Sequence, residues 1–561
     1  MKSLKKTIAL LLCLAMVLSL AACGGDAGSQ TSSGADSSSS EASTQNSSEE
    51  GGEDSSTAGT EGGDTAPAGE FTLPIVDEPV ELDYFVSAST NAAIVTTDYN
   101  DNEFYQEMER RTGVHLNFEM VSSADYQTNF NLMIASGNLP DLICYGASYY
   151  SEGVDAAIDD GYFMDLTDKV DEYMPNYQAI RKSDVNYELL STTDSGRLGA
   201  VYELRQTKQG PWLGMWIRQD WLDDLKLETP ETYDEWHDVL KAFKDEKGAT
   251  APLTLNFSGS DGEFGMMSAG LGVLNGWQLN SEGKVTYGPY NEAWKEYVTL
   301  MHQWYEEGLI DPDFMSTDQR TADMATVVTG KTGAVPAVYT MPSLYEGSSE
   351  DKNMNWAPIN PPVKNAGEEL HIRLRDSYTS GNTAISADCE NWEVAMKWLD
   401  YLFTEEGALL ANYGVEGDTF TFEGDKPVFT EKITNNENGW TLAQTMDSYL
   451  CPSAGVANWS DWTRELGGVP EKDQTCYTVW TTNAKDDWRL PTVSLTQEES
   501  TERAALYADM STCVKENTAK FISGALDIEQ NWDAYIAELE QHGVQRAIEI
   551  TQGAYDRYLA R

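Results

Sequence analysis

Val114-His-Leu-Asn-Phe-Glu-Met120, Ser123-Ala-Asp-Tyr126 running on to Ile134, and Asp141-Leu-Ile-Cys-Tyr145 read as strand, helix and strand in succession. The first run alternates apolar and polar residues, and the last is short and apolar, as a strand covered on both faces is. Between them Ser123 is the expected helix N-cap, and Ala135-Ser-Gly-Asn-Leu-Pro-Asp141 closes the helix. Upstream, Glu81-Leu-Asp-Tyr-Phe-Val-Ser87 is a further strand, joined to Val114 by a helix over Asp101–Arg111 that Gly113 ends. Strands separated by helices of this length form right-handed crossovers and a mostly parallel sheet. Ligands of such sheets sit beyond the carboxyl ends of strands, which points to the loops after Ser87 and after Cys144.

A second α/β block follows. Arg197–Leu204 and Leu213–Arg218 read as strands, and Pro230-Glu-Thr-Tyr-Asp-Glu-Trp236 opens a helix. Thr232 with Glu235 three residues later makes a capping box. Trp294, Tyr297, Met301, Trp304 and Tyr305 recur at helical spacing and are expected to face a core. Further helices are expected over Trp392–Leu402, Thr501–Phe521 and Asn531–Ala560. A folded body of about 490 residues exceeds one small domain and calls for two or three lobes.

The body starts near Phe71, and what precedes it is of another kind. Lys2, Lys5 and Lys6 lead into the uncharged run Thr7–Ala22, which ends Leu20-Ala-Ala-Cys23-Gly24. A basic start, a short apolar stretch and small residues before a break are a secretory signal, and the stretch is too short to span a bilayer. Leu-Ala-Ala-Cys resembles the bacterial lipobox, which implies cleavage after residue 22 and lipidation of Cys23. From Gly24 to Glu70 there is no Lys or Arg and almost no apolar side chain. Such a segment cannot bury enough surface to offset its ordering entropy, so an extended acidic Ser/Gly linker is expected over 23–70.

With 40% hydrophobic residues and 16 Trp, the chain has ample material for sizeable cores. Its formal net charge of −55 excludes nucleic acid and anionic lipid surfaces as ligands and suits a soluble extracellular monomer. Beyond Cys13 and Cys23 stand Cys144, Cys389, Cys451, Cys476 and Cys513, an odd set without close spacing. Buried, inert thiols are expected, and Cys451 with Cys476 is the one pair with a case for a disulfide. Five scattered His residues give no metal-ligand spacing.

Chemistry-bearing motifs are missing. Thr329-Gly-Lys-Thr332 ends like a phosphate loop, but Ala325 stands where its first glycine belongs. Gly270-Leu-Gly272 opens like a dinucleotide fingerprint, but Asn275 occupies the third glycine position. HExxH and GxSxG do not occur. What the chain offers instead is aromatic residues at expected loops and strand ends: Tyr145, Tyr149, Tyr150, Trp212, Tyr339, Tyr378, Trp459 and Trp462, with Ser89, Arg205 and Asp376 nearby. Flat rings stack on the C–H faces of sugars, with charged and amide groups taking the hydroxyls, so this set suggests a carbohydrate cleft.

Thr112-Gly-Val-His-Leu, Ala135–Asp141, Trp216-Ile-Arg-Gln-Asp-Trp-Leu222, Pro230–Trp236, Trp304–Phe314 and Lys397-Trp-Leu-Asp-Tyr401 together resemble the extracellular solute-binding proteins, family 1, of carbohydrate ABC importers, in particular the large lipoprotein branch of Gram-positive bacteria. The closing Gln552-Gly-Ala-Tyr-Asp-Arg-Tyr558 is similar to that branch's last helix. The resemblance implies an α/β periplasmic-binding-protein-like fold of two lobes with a hinge between them. The expected lobes are residues 71–204 with about 356–450, and 205–355 with about 451–561. It implies sugar contacts in the loop Tyr145–Tyr150, at Ser87–Asn91, near Arg205, around Asn256-Phe257 and at Tyr339. The expected ligand-binding set is therefore Ser89, Tyr145, Tyr149, Arg205, Trp212, Phe257, Tyr339, Tyr378, Trp459 and Trp462, with no catalytic residue, cofactor or metal. The partners implied are a carbohydrate ligand, the transmembrane subunits of a permease and, through the lipid, the outer face of the cell membrane. Two other readings fit the same residues: a surface-anchored glycan hydrolase and a glycan-binding protein that does not transport.

Overall fold

The computed structural model describes residues 71–561 apart from 256–264, 317–323, 373–376, 453–454, 483 and 486. Cys23 and the 1–70 segment, and Phe257 and Asp376, lie outside the described residues. The strands, in chain order, are β1 (Val80–Ala88), β2 (Val114–Ser122), β3 (Leu142–Cys144), β4 (Val201–Gln209), β5 (Leu213–Arg218), β6 (Trp277–Leu279), β7 (Val285–Tyr287), β8 (Ala334–Val338), β9 (Trp356–Ile359), β10 (Ser377–Ile385), β11 (Phe420–Glu423), β12 (Lys426–Phe429) and β13 (Trp459–Ser460). β6–β7 and β11–β12 are two-stranded hairpins.

The first sheet has the order β13-β4-β10-β3-β1-β2. β1 runs parallel to β2 and β3, as the strand–helix–strand reading requires. The helix Glu103–Thr112 between β1 and β2 is capped by the Asn102 side chain, which accepts from Phe104 N–H at 2.8 Å, and stops at Gly113, whose φ of 77° a side chain would resist. The next helix starts later than expected, at Tyr126, and Ser123 does not cap it. Ser122 Oγ instead holds the Asp125 N–H (3.2 Å) and carboxylate (2.8 Å), which spends the chain's first turn on a loop.

The second sheet is β8-β5-β9, with β5 antiparallel to both neighbours. Isolated parallel bridges join Leu253 to Ala334 and to Ile310, and Thr232 to Val363. The reason lies in the connections. The chain leaves the first sheet along β4 into β5 and returns along β9 into β10, so outgoing and incoming strands run opposite ways in both sheets: β4 against β10, β5 against β9. A third passage follows β13, which pairs with β4.

Two large cores result. One gathers Leu82 to Leu204 with Ile385 to Ala457, the other Leu213 to Ile359 with Val469 to Ala547. By strand pairing and core, the crossings come later than the expected limits at 356 and 451, because β9 belongs to the second sheet and β13 to the first. The aromatic stripe on the helix Glu292–Glu306 is core: Trp294, Tyr297, Met301 and Trp304 are buried. The Thr232–Glu235 capping box forms as expected. The single helix expected over Asn531–Ala560 is two, Ile528–Gln541 and Val544–Leu559, broken where Gly543 takes a φ of 84°. All five cysteines of the body are buried thiols; Cys451 and Cys476 belong to different cores and form no disulfide.

Asp400 is fully buried in the first core, its carboxylate accepting from Tyr177 N–H and Asn176 Nδ2, each at 2.8 Å. Burial pushes its pKa up to about 6 against the pull of those bonds. The folded state thus holds this proton more tightly than the unfolded state. Its contribution to stability falls as pH rises from the ordinary carboxylate range, about 4, toward the folded value. Asp400→Asn should flatten the dependence of Tm on pH across that window relative to the parent chain; an unchanged slope would contradict the assignment.

Candidate functional site

β1, β2, β3 and β4 all end on the edge of the first sheet where the chain passes to the second. At the end of β3, Tyr145 adopts the left-handed conformation (φ 54°), rare for a residue with a Cβ. Asn382 on β10 holds it there. The Asn382 carbonyl accepts from Tyr145 N–H (2.6 Å), its Oδ1 accepts from Ala147 N–H (2.9 Å), and its Nδ2 donates to Ser148 Oγ (2.8 Å). Gly455 (φ 80°) passes so close that a Cβ there would lie 2.5 Å from the Tyr145 ring and 2.8 Å from Cys144 Sγ. Gly455→Ala therefore displaces Tyr145 and adds about 1–2 kcal/mol of backbone strain. Both ligand affinity and Tm should fall, and a titration showing unchanged affinity would count against a binding role for this loop.

Tyr145 lines a cavity of about 70 Å³ together with Glu203, Arg205, Trp462, Arg464 and Glu465. Glu203 and Arg205 share it because residues two apart on a strand face the same way. Arg205 Nε and Nη1 are buried without a hydrogen-bond partner among the described residues. Burial raises the Glu203 pKa, and the neighbouring Arg205 guanidinium is the strongest opposing influence, followed by the Ser460 hydroxyl and Arg464. Arg464 Nη1 donates to the Ala411 carbonyl at 3.0 Å. The Tyr339 hydroxyl donates to Glu465, and the Tyr339 and Trp462 rings flank Tyr477 with centroids 5.6 and 5.0 Å away. Trp462 Nε1 donates to Thr207 Oγ1 at 2.9 Å, which fixes the indole against β4.

Tyr202, on the opposite face of β4 from Glu203, lines a larger cleft of about 750 Å³. One wall is the same β3 loop, with Ala147, Ser148 and Tyr150; the other is the 492–500 segment, which leads into the helix Gln497–Ile522 of the second core. The loop that follows β3 thus serves both hollows.

Of the residues expected to bind ligand, the structure brings Tyr145, Arg205 and Trp462 into one cavity, with Tyr339 attached through Glu465. Tyr149 stands behind Tyr145, its ring 5.0 Å from Tyr126 and 6.1 Å from Phe130. Ser89 Oγ donates to Asp447 (2.6 Å) and accepts from Ala92 N–H (3.0 Å). Trp212 packs on the second core and Trp459 on the first. Tyr378 falls within β10. Glu203, Arg464, Glu465, Asn382 and the 492–500 wall went unremarked in the sequence. For Glu203 the signal was present: Glu203-Leu-Arg205 on a strand leading out of a sheet places opposite charges on one face.

Two α/β cores joined by three passages, with aromatic and charged side chains gathered where the passages lie, define a two-lobed binding protein. The chain belongs to the bacterial extracellular solute-binding proteins, whose family model matches residues 91–409, more than half its length. It is similar to the fructooligosaccharide ABC transporter substrate-binding protein FusA of Streptococcus pneumoniae, with 26% identity over 89% of this chain and 95% of FusA. The polygalacturonan/rhamnogalacturonan-binding protein YtcQ of Bacillus subtilis is 25% identical over 80% of this chain and 87% of its own. Among solved structures, the HMO-binding ABC-transporter-associated solute-binding protein of Bifidobacterium longum infantis shares the fold, with a TM-score of 0.69 at 20% identity, over 86% of this chain and 99% of that one.

Proposed function

We propose that this protein captures an oligosaccharide outside the cell, between its two lobes, and hands it to the transmembrane subunits of an ABC importer. The observation that carries the reading is the convergence of Tyr145, Arg205 and Trp462 at the passages between the cores. Rings supply stacking surface, and Arg205 supplies donors that have no partner among the described residues. FusA and YtcQ, named for the glycans they bind, support a carbohydrate ligand. Closing of the lobes would be favoured by contacts that ligand makes with both walls at once.

In this reading the protein holds its ligand and does not convert it, acts as a monomer, and is tethered by lipid on Cys23 to the outer face of the membrane. The sequence Leu20-Ala-Ala-Cys23 supports the tether. No helix among the described residues is long and apolar enough to cross a membrane. Calorimetric titration against a panel of neutral and acidic oligosaccharides tests the binding, and analysis of the recovered glycan tests the absence of conversion. Shortened products would favour the hydrolase reading. Cys23→Ala should move the chain from the membrane fraction to the medium; retention on the membrane would contradict the tether.

A further inference from the structure

We infer that the ligand is an uncharged oligosaccharide, and that the loop following β3 rejects uronic-acid glycans of the same size. The inference rests on the binding role proposed above and concerns the charge of what is bound. FusA and YtcQ are named for glycans of different charge, so kinship alone does not decide it.

The 750 Å³ cleft decides it through its lining. No Lys or Arg is among the residues that line it, while Glu152, Asp155, Asp159, Asp160 and Asp194 are. Three of these acids are paired with arginines: Arg197 with Asp155 (2.8 Å) and Asp159 (2.7 Å), and both Arg557 (2.7 Å) and Arg561 with Asp194. Glu152 and Asp160 have no basic partner among the described residues. Glu152 accepts from Gln497 Nε2 across the cleft (2.5 Å), and Asp160 accepts from the Tyr150 hydroxyl (2.7 Å). Both keep acceptor capacity, since a carboxylate offers about four lone-pair sites. The rest of the wall is rich in hydroxyl and amide groups, such as Ser148, Asn382, Thr492 and Ser500.

A neutral sugar answers such a wall with hydroxyl donors, and hydroxyl-to-carboxylate bonds are charge-assisted. A uronate answers it with a second anion that has no proton to give and meets like charge in a cleft partly shielded from water. The field of the whole chain, −55 formally, acts in the same direction during encounter. The guanidiniums of Arg197, Arg557 and Arg561 are already taken up by Asp155, Asp159 and Asp194, and Arg205 lies on the other face of β4 beside Glu203 and Glu465, where its charge is matched.

The test is a matched pair. The purified full chain is titrated at low salt with an oligogalacturonate and with the same oligosaccharide after carboxyl reduction, alongside neutral fructo-oligosaccharides of equal length. The neutral members should bind at least about tenfold more tightly than the uronate, and the gap should narrow as salt is raised. In Glu152→Gln/Asp160→Asn the gap should shrink at low salt, because the two uncompensated charges are gone. A uronate that binds as tightly as its reduced twin, or a gap that the double variant leaves unchanged, overturns the inference. Binding of neither class of glycan would instead overturn the carbohydrate reading itself, and this inference with it.

Discussion

Arg205→Ala should weaken oligosaccharide binding by about 10- to 100-fold, the range expected when a charged hydrogen-bond donor to ligand is removed. The guanidinium is poised for this: Nε and Nη1 are buried, without a partner among the described residues, and on the wall of the cavity that holds Tyr145 and Trp462. The substitution also strips Glu203 of the cation that most opposes its raised pKa, so some stability is lost with the binding. The double variant Glu203→Gln/Arg205→Ala separates the two effects, since it removes the buried acid along with its counter-charge. Tm should recover in the double variant and affinity should not. Recovery of both would make Arg205 a structural residue, and unchanged affinity in the single variant would remove it from the site.

Trp480→Ala should destabilise the protein by about 3–5 kcal/mol, the cost of emptying a large buried site. Trp480 is fully buried, stands edge-on to Trp216 at 5.4 Å and donates its indole N–H to the Met215 carbonyl at 3.2 Å. It fills a notch that exists only because residue 214 is glycine: a Cβ on Gly214 would lie 2.1 Å from the indole. This contact pins the third passage to β5, so its loss should loosen one of the links between the lobes. Denaturant unfolding measures the cost, and a change below about 1 kcal/mol would contradict the packing.

How much of this was legible in the sequence depended on the distance between partners. β1, β2 and β3 and their helices, and the start of the helix at Tyr233, were readable because alternation, Gly113 and the Thr232–Glu235 box are local signals. The placement of β9 and β13 was not, since each strand's partner lies more than 100 residues away and β13 is only two residues long. The antiparallel centre of the second sheet was hidden for the same reason: it follows from the chain leaving and returning between the lobes, which no local pattern records. In the site, Tyr145 and Trp462 were legible as aromatic residues in expected loops. Their company was not, because Gly455, Asn382 and Glu465 reach them through tertiary packing. Nor was the partner of Ser89 legible, for its hydroxyl donates to Asp447, 358 residues later.

Small-angle X-ray scattering of the full chain, alone and saturated with its tightest-binding oligosaccharide, tests the central claim most directly. If the two lobes close on a sugar held between them, saturation must reduce the radius of gyration while the glycan is recovered intact. A radius unchanged at saturation, or recovery of the glycan in fragments, would contradict it.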